Sequence, residues 1–331
     1  MDEFLIIRLS SLGDIIHALP AFSVLRKGYP ESRIAWIVDR SGKEILDLVP
    51  GLDEIIVRGE KGWFRALRKR ARTAIDFQGL QKSAVIGRIS GARRRVGFSG
   101  ANLRESAAGL FYTDKLPEFV EDGHVIQKNL GLLSLIGLKP GSEAFEFPLK
   151  VPEDTRQSVR EALGDLGWDS GRQKIVICNV GAAWENKRWP RERWIEFLNM
   201  TDKEGLFHII LWGNAAERET ALAIGAATGI PAAPYLSIKQ VLAFIAESSL
   251  LISGDTFALQ AACALDIPVV AMFGPTNPVR NGPFRGRDKV AGADLDCRPC
   301  WKRSCPSPKC MNDITGAQVS ALAKECLERH A

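Results

Sequence analysis

The sequence predicts an α/β protein made of two doubly wound units, each a parallel sheet with helices on both faces. Three observations predict it. Short, continuous apolar runs alternate with helix-length segments, the pattern of strands buried on both faces of a parallel sheet. The runs fall into two series, separated by "LKPGSEAFEFPLKVPEDT" (138–155), which is rich in proline, glycine and charge. Polar, glycine-bearing loops directly follow several of the runs, and open α/β sheets bind ligands outside the carboxyl ends of their strands.

Each element can be justified in turn. The first series contains "FLIIRL", "RIAWIVD", "EIIVR", "TAIDFQ" and "RRVGFS"; the second contains "KIVICNV", "FHIILWG", "LLISG" and "VVAMFG". After the first run comes "RLSSLGDIIHAL" (8–19), where serines and an aspartate meet an apolar-periodic stretch, the composition of a helix start. "PEDT" begins the first helix of the second unit, and "TGAQVSALAKECLERH" reads as a terminal amphipathic helix. The expected division is 1–150, 151–316 and a C-terminal helix at 317–331. Two such sheets would face each other across a cleft, with the loops "RLSSLGD", "DFQGLQKS", "NVGAAWENKRWP", "LWGNAAE" and "SGDTFALQ" at its walls. None of these is a G-x-G-x-x-G or a G-x-x-x-x-G-K-[ST] loop, which removes the main support for a dinucleotide or P-loop reading.

The 331 residues suffice for two cores, and 46% hydrophobic with 25% charged residues is ordinary for a globular enzyme. No apolar run approaches the roughly 18 residues of a membrane span, and the N-terminus lacks the basic region of a signal peptide, so a cytoplasmic protein is expected. The net charge of +5 is modest, but "RGEKGWFRALRKRAR" (58–72) and "RRR" (93–95) concentrate cations in the first half. Such runs are commonly solvated faces. With Trp63 and Phe64 among the cations, the first run also has the make-up of an interfacial segment. Arg65, Arg68, Lys69 and Arg72 would share one side of a helix and dock on an anionic surface. No nucleic-acid-binding motif accompanies the run, which argues against nucleic acid as a partner.

Taken in order, "RLSSLGDIIHALPA", "IDFQGLQKSA", "LRESAAGLFY", "KRWP", "WG" and "GDT…FGPTNP" resemble glycosyltransferase family 9, the lipopolysaccharide heptosyltransferases, over nearly the whole chain. The closest likeness is to heptosyltransferase I. The resemblance implies a GT-B fold and inverting transfer of L-glycero-D-manno-heptose from an ADP donor to the Kdo–lipid A inner core. It places the acceptor on the first unit and the nucleotide sugar on the second, requires no cofactor, and puts the enzyme at the inner face of the cytoplasmic membrane.

The same resemblance implies the site residues. Asp14 would be the general base, with Ser10 and Gly13 in its loop; the alternative is that Asp14 only caps the helix. Lys187 would meet the donor phosphates. Ala182 and Ala183 stand where heptosyltransferases I carry a threonine pair, so only backbone groups remain there. Glu217 would contact the ribose, Leu236 would contact adenine through its backbone, and Asp255 and Thr256 would line the donor pocket. Phe257 and Gln260 replace the family's glycine and histidine; a glutamine can still hydrogen-bond a phosphate or sugar hydroxyl but carries no charge. On the acceptor side stand Arg65, Gln78, Lys82, Arg104 and His124, of which the cations suit Kdo carboxylates and lipid A phosphates.

"CRPCWKRSCPSPKC" brings Cys297, Cys300, Cys305 and Cys310 together in sequence. Four clustered thiols in a cytoplasmic chain fit a structural zinc or iron, and equally free thiols in a tight loop. Two other functions compete with heptose transfer to the Kdo–lipid A core. One is a family 9 transferase with another sugar or acceptor, such as the second core heptose or a protein hydroxyl. The other is a non-catalytic nucleotide-sugar-binding or membrane-docking protein.

Overall fold

The computed structural model describes residues 3–68, 71–117, 123–139, 145–201 and 204–328. The chain forms two compact units, Met1–Lys150 and Val151–Ala331.

The first unit contains β1 (Glu3–Ile7), β2 (Arg33–Val38), β3 (Glu54–Val57), β4 (Thr73–Asp76), β5 (Arg94–Phe98) and β6 (Asp114–Leu116). They form one sheet in the order β3-β2-β1-β4-β5-β6, with every pairing parallel. This is the 3-2-1-4-5-6 order of a Rossmann sheet, whose switch point lies between β1 and β4. β1 is central, and Leu5, Ile6 and Ile7 are essentially inaccessible. Burying each such side chain contributes about 1.5–3 kcal/mol. The helix Leu12–Gly28 then crosses the sheet with ten buried residues, among them Ile15, Ile16, Leu19 and Phe22.

The second unit contains β7 (Lys174–Asn179), β8 (Leu206–Leu211), β9 (Leu250–Gly254), β10 (Val269–Met272) and β11 (Lys289–Ala291). Their order is β11-β10-β9-β7-β8, again all parallel, with the switch point between β7 and β9. Trp189, Trp194, Phe197, Ile210, Ile252 and Val270 lie in its core. The C-terminal helix Gly316–Glu328 joins the same core through Val319, Ala323 and Cys326, so it is part of this unit and not a separate appendage.

Two outcomes differ from the sequence expectation. β6 and β11 are edge strands of three residues each, too short to show a period. The basic run does not form a continuous helix through Arg72. The helix spans only Trp63–Leu67, Arg68 is its C-cap, and Lys69 lies outside the described residues. Core contacts set this limit: Leu67 is buried and Trp63 packs against the same cluster, while the Arg72 backbone N–H donates to the Glu3 carbonyl at the start of β1. Of the two aromatics, only Phe64 is exposed, with Arg68 over its ring at 5.8 Å.

Candidate active site

In the first unit the switch point places the ends of β1 and β4 side by side. Arg8 follows β1, and its Nη1 donates to the Phe77 carbonyl just after β4 (2.5 Å). Its Nη2 pairs with Asp14 Oδ1 at 2.8 Å. Asp14 is not the N-cap of its helix. Ser11 holds that position, and Asp14 sits at the third helical residue, where Oδ2 accepts from the Ser11 backbone N–H (3.2 Å) and Oγ (2.9 Å). Burial by itself would raise the Asp14 pKa; Arg8, then His17 and the Ser11 hydrogen bonds outweigh it and hold the carboxyl below the usual range. The side chain nevertheless remains 39% exposed, so a reactant can reach it. His17 lies one turn further along the helix, with the His124 ring edge-on at 5.8 Å.

Beside this pair, Asp76 is fully buried at the end of β4. It accepts from the backbone N–H groups of Gln78 (2.8 Å) and Gly79 (3.2 Å) and from the Tyr112 hydroxyl (2.7 Å). Burial pushes its pKa up, against the hydrogen bonds of Tyr112, Ser83, Gln78 and Gly79. The Tyr112 hydroxyl is likewise pushed up, by burial first and then by the charge of Asp76. The turn closes on Gly79, whose φ of +68° suits glycine. Gln78 is tied in as well, its Oε1 accepting from the Leu9 N–H at 2.9 Å.

The sequence-derived acceptor residues therefore divide. Ser10 lies in the loop after β1 and Gly13 and Asp14 in the first turn of the helix it enters; Gln78 is hydrogen-bonded to that loop, and His124 reaches the helix through His17. His124 also caps the helix Val125–Leu132, with Nδ1 accepting from the Ile126 N–H, and stacks on Phe145. Arg65, Lys82 and Arg104 are exposed and, among the described residues, stand outside the Arg8–Asp14 hydrogen-bond network. Sequence reasoning missed Arg8, Asp76 and Tyr112. Only the Asp-x-Gln-Gly turn after a strand could have pointed to Asp76.

In the second unit, Lys187 Nζ pairs with Asp255 Oδ2 at 2.6 Å, and both side chains are largely buried, at 14% and 9% exposure. The same ammonium lies 4.4 Å from the centroid of the Trp184 ring. Asp255 follows β9 directly. Thr256 caps the next helix, Phe257–Ala264, and its Oγ1 lies 2.9 Å from Ser253 Oγ and 3.2 Å from Asn179 Nδ2. The ends of β7 and β9 are thus joined at the switch point.

Glu217 is buried in the first turn of Ala215–Thr228, where Oε2 accepts from the Gly213 N–H at 2.8 Å. Arg188 lies 3.9 Å from its Oε1, and a Cβ on Gly181 would overlap the carboxylate. Ala182 is buried and its carbonyl accepts from Arg188 Nε (3.1 Å), while Ala183 is exposed. Leu236 is half-buried beside Tyr235, which is exposed and packs on Trp212. Phe257 is half-buried at the first turn of its helix.

Gln260 and the cysteine loop remain. Gln260 is buried, and its Nε2 donates to the Asn281 carbonyl at 2.8 Å. Its Oε1 is buried as well and has no hydrogen-bond partner among the described residues. A structural metal at the cysteine loop is not supported. Among the described residues no three His, Cys, Asp or Glu side chains are gathered tightly enough to hold an ion. Cys310 is packed into the apolar core with Met311 and Ile314, whereas Cys297 is exposed and Cys300 and Cys305 are half-buried. Burial first, then the neighbouring Cys300, Cys297 and Cys305, push the Cys310 thiol up, with Arg298 opposing them.

Comparison with known proteins supplies the family. Residues 62–311 match the model of glycosyltransferase family 9 (heptosyltransferase). A lipopolysaccharide heptosyltransferase 1 of Pseudomonas aeruginosa is 30% identical over 320 residues, covering 91% of this chain and 86% of its own. Among solved structures, an Escherichia coli ADP-heptose lipopolysaccharide heptosyltransferase II superposes with a TM-score of 0.80 at 21% identity, covering all of both chains. The E. coli heptosyltransferase WaaC with ADP superposes at 0.77 and 21% identity, covering 98% of this chain and 99% of that one. These likenesses establish a GT-B fold, and with the family match they show that the chain is a glycosyltransferase belonging to family 9, the heptosyltransferases.

Proposed function

We propose that this enzyme transfers L-glycero-D-manno-heptose from ADP-heptose to the Kdo–lipid A inner core of lipopolysaccharide, with inversion at the anomeric carbon. The observation that carries the reading is Asp14: an accessible carboxylate paired with Arg8, in the first turn of the helix that follows the central strand. In the proposed step the acceptor hydroxyl oxygen attacks the anomeric carbon from the face opposite the phosphate. Its proton passes to Asp14, the new C–O bond forms, and the bond to the phosphate oxygen breaks with its electron pair going to ADP. Inversion needs only this one base.

The charge that grows on ADP is assigned to Lys187. It stands ready next to Asp255 and Trp184, and a cation in a largely buried setting stabilises a departing anion more than one in water. The buried Glu217 carboxylate is assigned to the ribose hydroxyls, the backbone at Leu236 to adenine, and Thr256 to the donor pocket wall. Backbone groups at Ala182 and Ala183 take the place of threonine hydroxyls at the phosphates. Lys82 and Arg104 are assigned to anionic groups of the acceptor. Arg65, Arg68 and the exposed Phe64 are assigned to the inner surface of the cytoplasmic membrane, where a lipid-linked acceptor resides. Among the described residues no helix is long and apolar enough to cross a membrane.

The test is incubation with ADP-heptose and Kdo2–lipid A followed by mass spectrometry of the lipid. One added heptose is expected. An unmodified lipid, together with transfer from another ADP-sugar or to another acceptor, would replace this reading with a different family 9 specificity.

A further inference from the structure

Both oxygens of Asp14 are held, but unequally. Among the described residues, Oδ2 accepts two hydrogen bonds, from the Ser11 N–H and from Ser11 Oγ, whereas Oδ1 meets only Arg8 Nη2. A carboxylate offers about four lone-pair sites, two per oxygen. These contacts fill Oδ2 and leave one site on Oδ1, on a side chain 39% open to solvent. Arg8 is in turn fixed: its side chain is 10% exposed and its second nitrogen is anchored on the Phe77 carbonyl at the end of β4.

We propose that Arg8 is a positioning residue for the transfer step: it braces Asp14 against the β4 terminus so that Oδ1 alone receives the acceptor's proton. The inference deepens, and rests on, the reading of Asp14 as the base. A rigid fork is suited to the task because a guanidinium can hold a carboxylate and a carbonyl at once, whereas an ammonium is a single point of charge. Removing the brace would let the carboxylate turn, and a misplacement of about 1 Å is worth roughly a hundred-fold in rate. It would also remove the cation nearest to Asp14. The other titratable group facing that carboxylate is His17 on the same helix, with His124 behind it.

The test compares Arg8→Gln, Arg8→Lys and Asp14→Asn in the full chain, with steady-state rates measured across pH. Circular dichroism and ADP affinity serve as controls for folding. Arg8→Gln is expected to lower kcat by about ten- to a hundred-fold. KM for ADP-heptose should stay within about twofold, since that interaction is assigned to other residues. The acid limb of kcat/KM should move to higher pH, because a carboxylate without its cation protonates more readily. Arg8→Lys should restore the position of the acid limb but not the full kcat. A folded Arg8→Gln enzyme with wild-type kcat and an unmoved acid limb would overturn the proposal. If that variant does not fold, Arg8→Lys decides: a reduced kcat with an unmoved limb supports the brace, and wild-type kcat refutes it. Asp14→Asn separates the two readings. If it turns over like wild type, the base assignment itself is wrong. If it is inactive while both Arg8 variants are unaffected, only the brace is wrong.

Discussion

The Lys187–Asp255 pair is where burial and charge compete most directly. Two opposite charges at 2.6 Å, both largely shielded, stabilise each other, but Asp255 without its partner would be a nearly buried, unpaired anion. Lys187→Ala should therefore do two things at once. It should weaken ADP binding and slow the chemical step, because the lysine is assigned to a charge that grows as ADP departs. It should also lower Tm, since breaking a buried pair from one side costs about 3–5 kcal/mol at most, less here because some exposure remains. Isothermal titration with ADP, single-turnover rates and calorimetry check the three effects. Unchanged affinity and rate with a lowered Tm would make the pair purely structural. Asp14, Lys187, Glu217 and Asp255 could be named from the sequence because the family resemblance marks them; the structure sets the first three in helical turns and Asp255 just before a helix start. Arg8 and Asp76 could not. Their partners Phe77 and Tyr112 lie 69 and 36 residues away, and no local pattern announces such pairings.

Between strand and helix, small residues decide what fits. Gly181 follows β7 at the point where the Glu217 carboxylate comes closest to the chain, so a methyl group there would overlap Glu217. Gly181→Ala should displace that carboxylate, at a cost of about 1–3 kcal/mol as overpacking usually shows. Weaker ADP affinity with kcat nearly unchanged is the expected signature, read by titration; wild-type affinity would remove Glu217 from the donor site. The basic segment teaches the complementary lesson. Its charge spacing suited a long helix, but the helix stops at Leu67 because Trp63 and Leu67 pack into the core. In the helix and its C-cap, Phe64, Arg65 and Arg68 stay exposed. Changing both arginines to Gln should weaken binding to anionic vesicles, with about 1 kcal/mol lost per cation at low salt and little difference at 1 M. Equal vesicle binding at low salt would identify the segment as a solvated face.

For the molecule as a whole, both sheets place their polar loops at a topological switch point: β1 with β4 in one unit, β7 with β9 in the other. Because the donor is assigned to the second unit, ADP should slow hydrogen exchange in 179–187, 211–217 and 253–260. A ligand that binds only the folded state at a hundred times its Kd stabilises that state by about 2.7 kcal/mol. Protection confined to 8–14, with none in those three segments, would reverse the assignment of nucleotide to unit.

The sequence alone determined the α/β class, two series of strands and the family. It could do so because strand burial and helix starts are written in local composition. Tertiary structure decided the rest: two edge strands of three residues, the burial of Gln260 and of Cys310, and the Arg8–Asp14 ion pair. Those outcomes depend on which distant segments pack together. A side chain's burial and its hydrogen-bond partners are properties of that packing, and a motif specifies only which residue is available to take part in it.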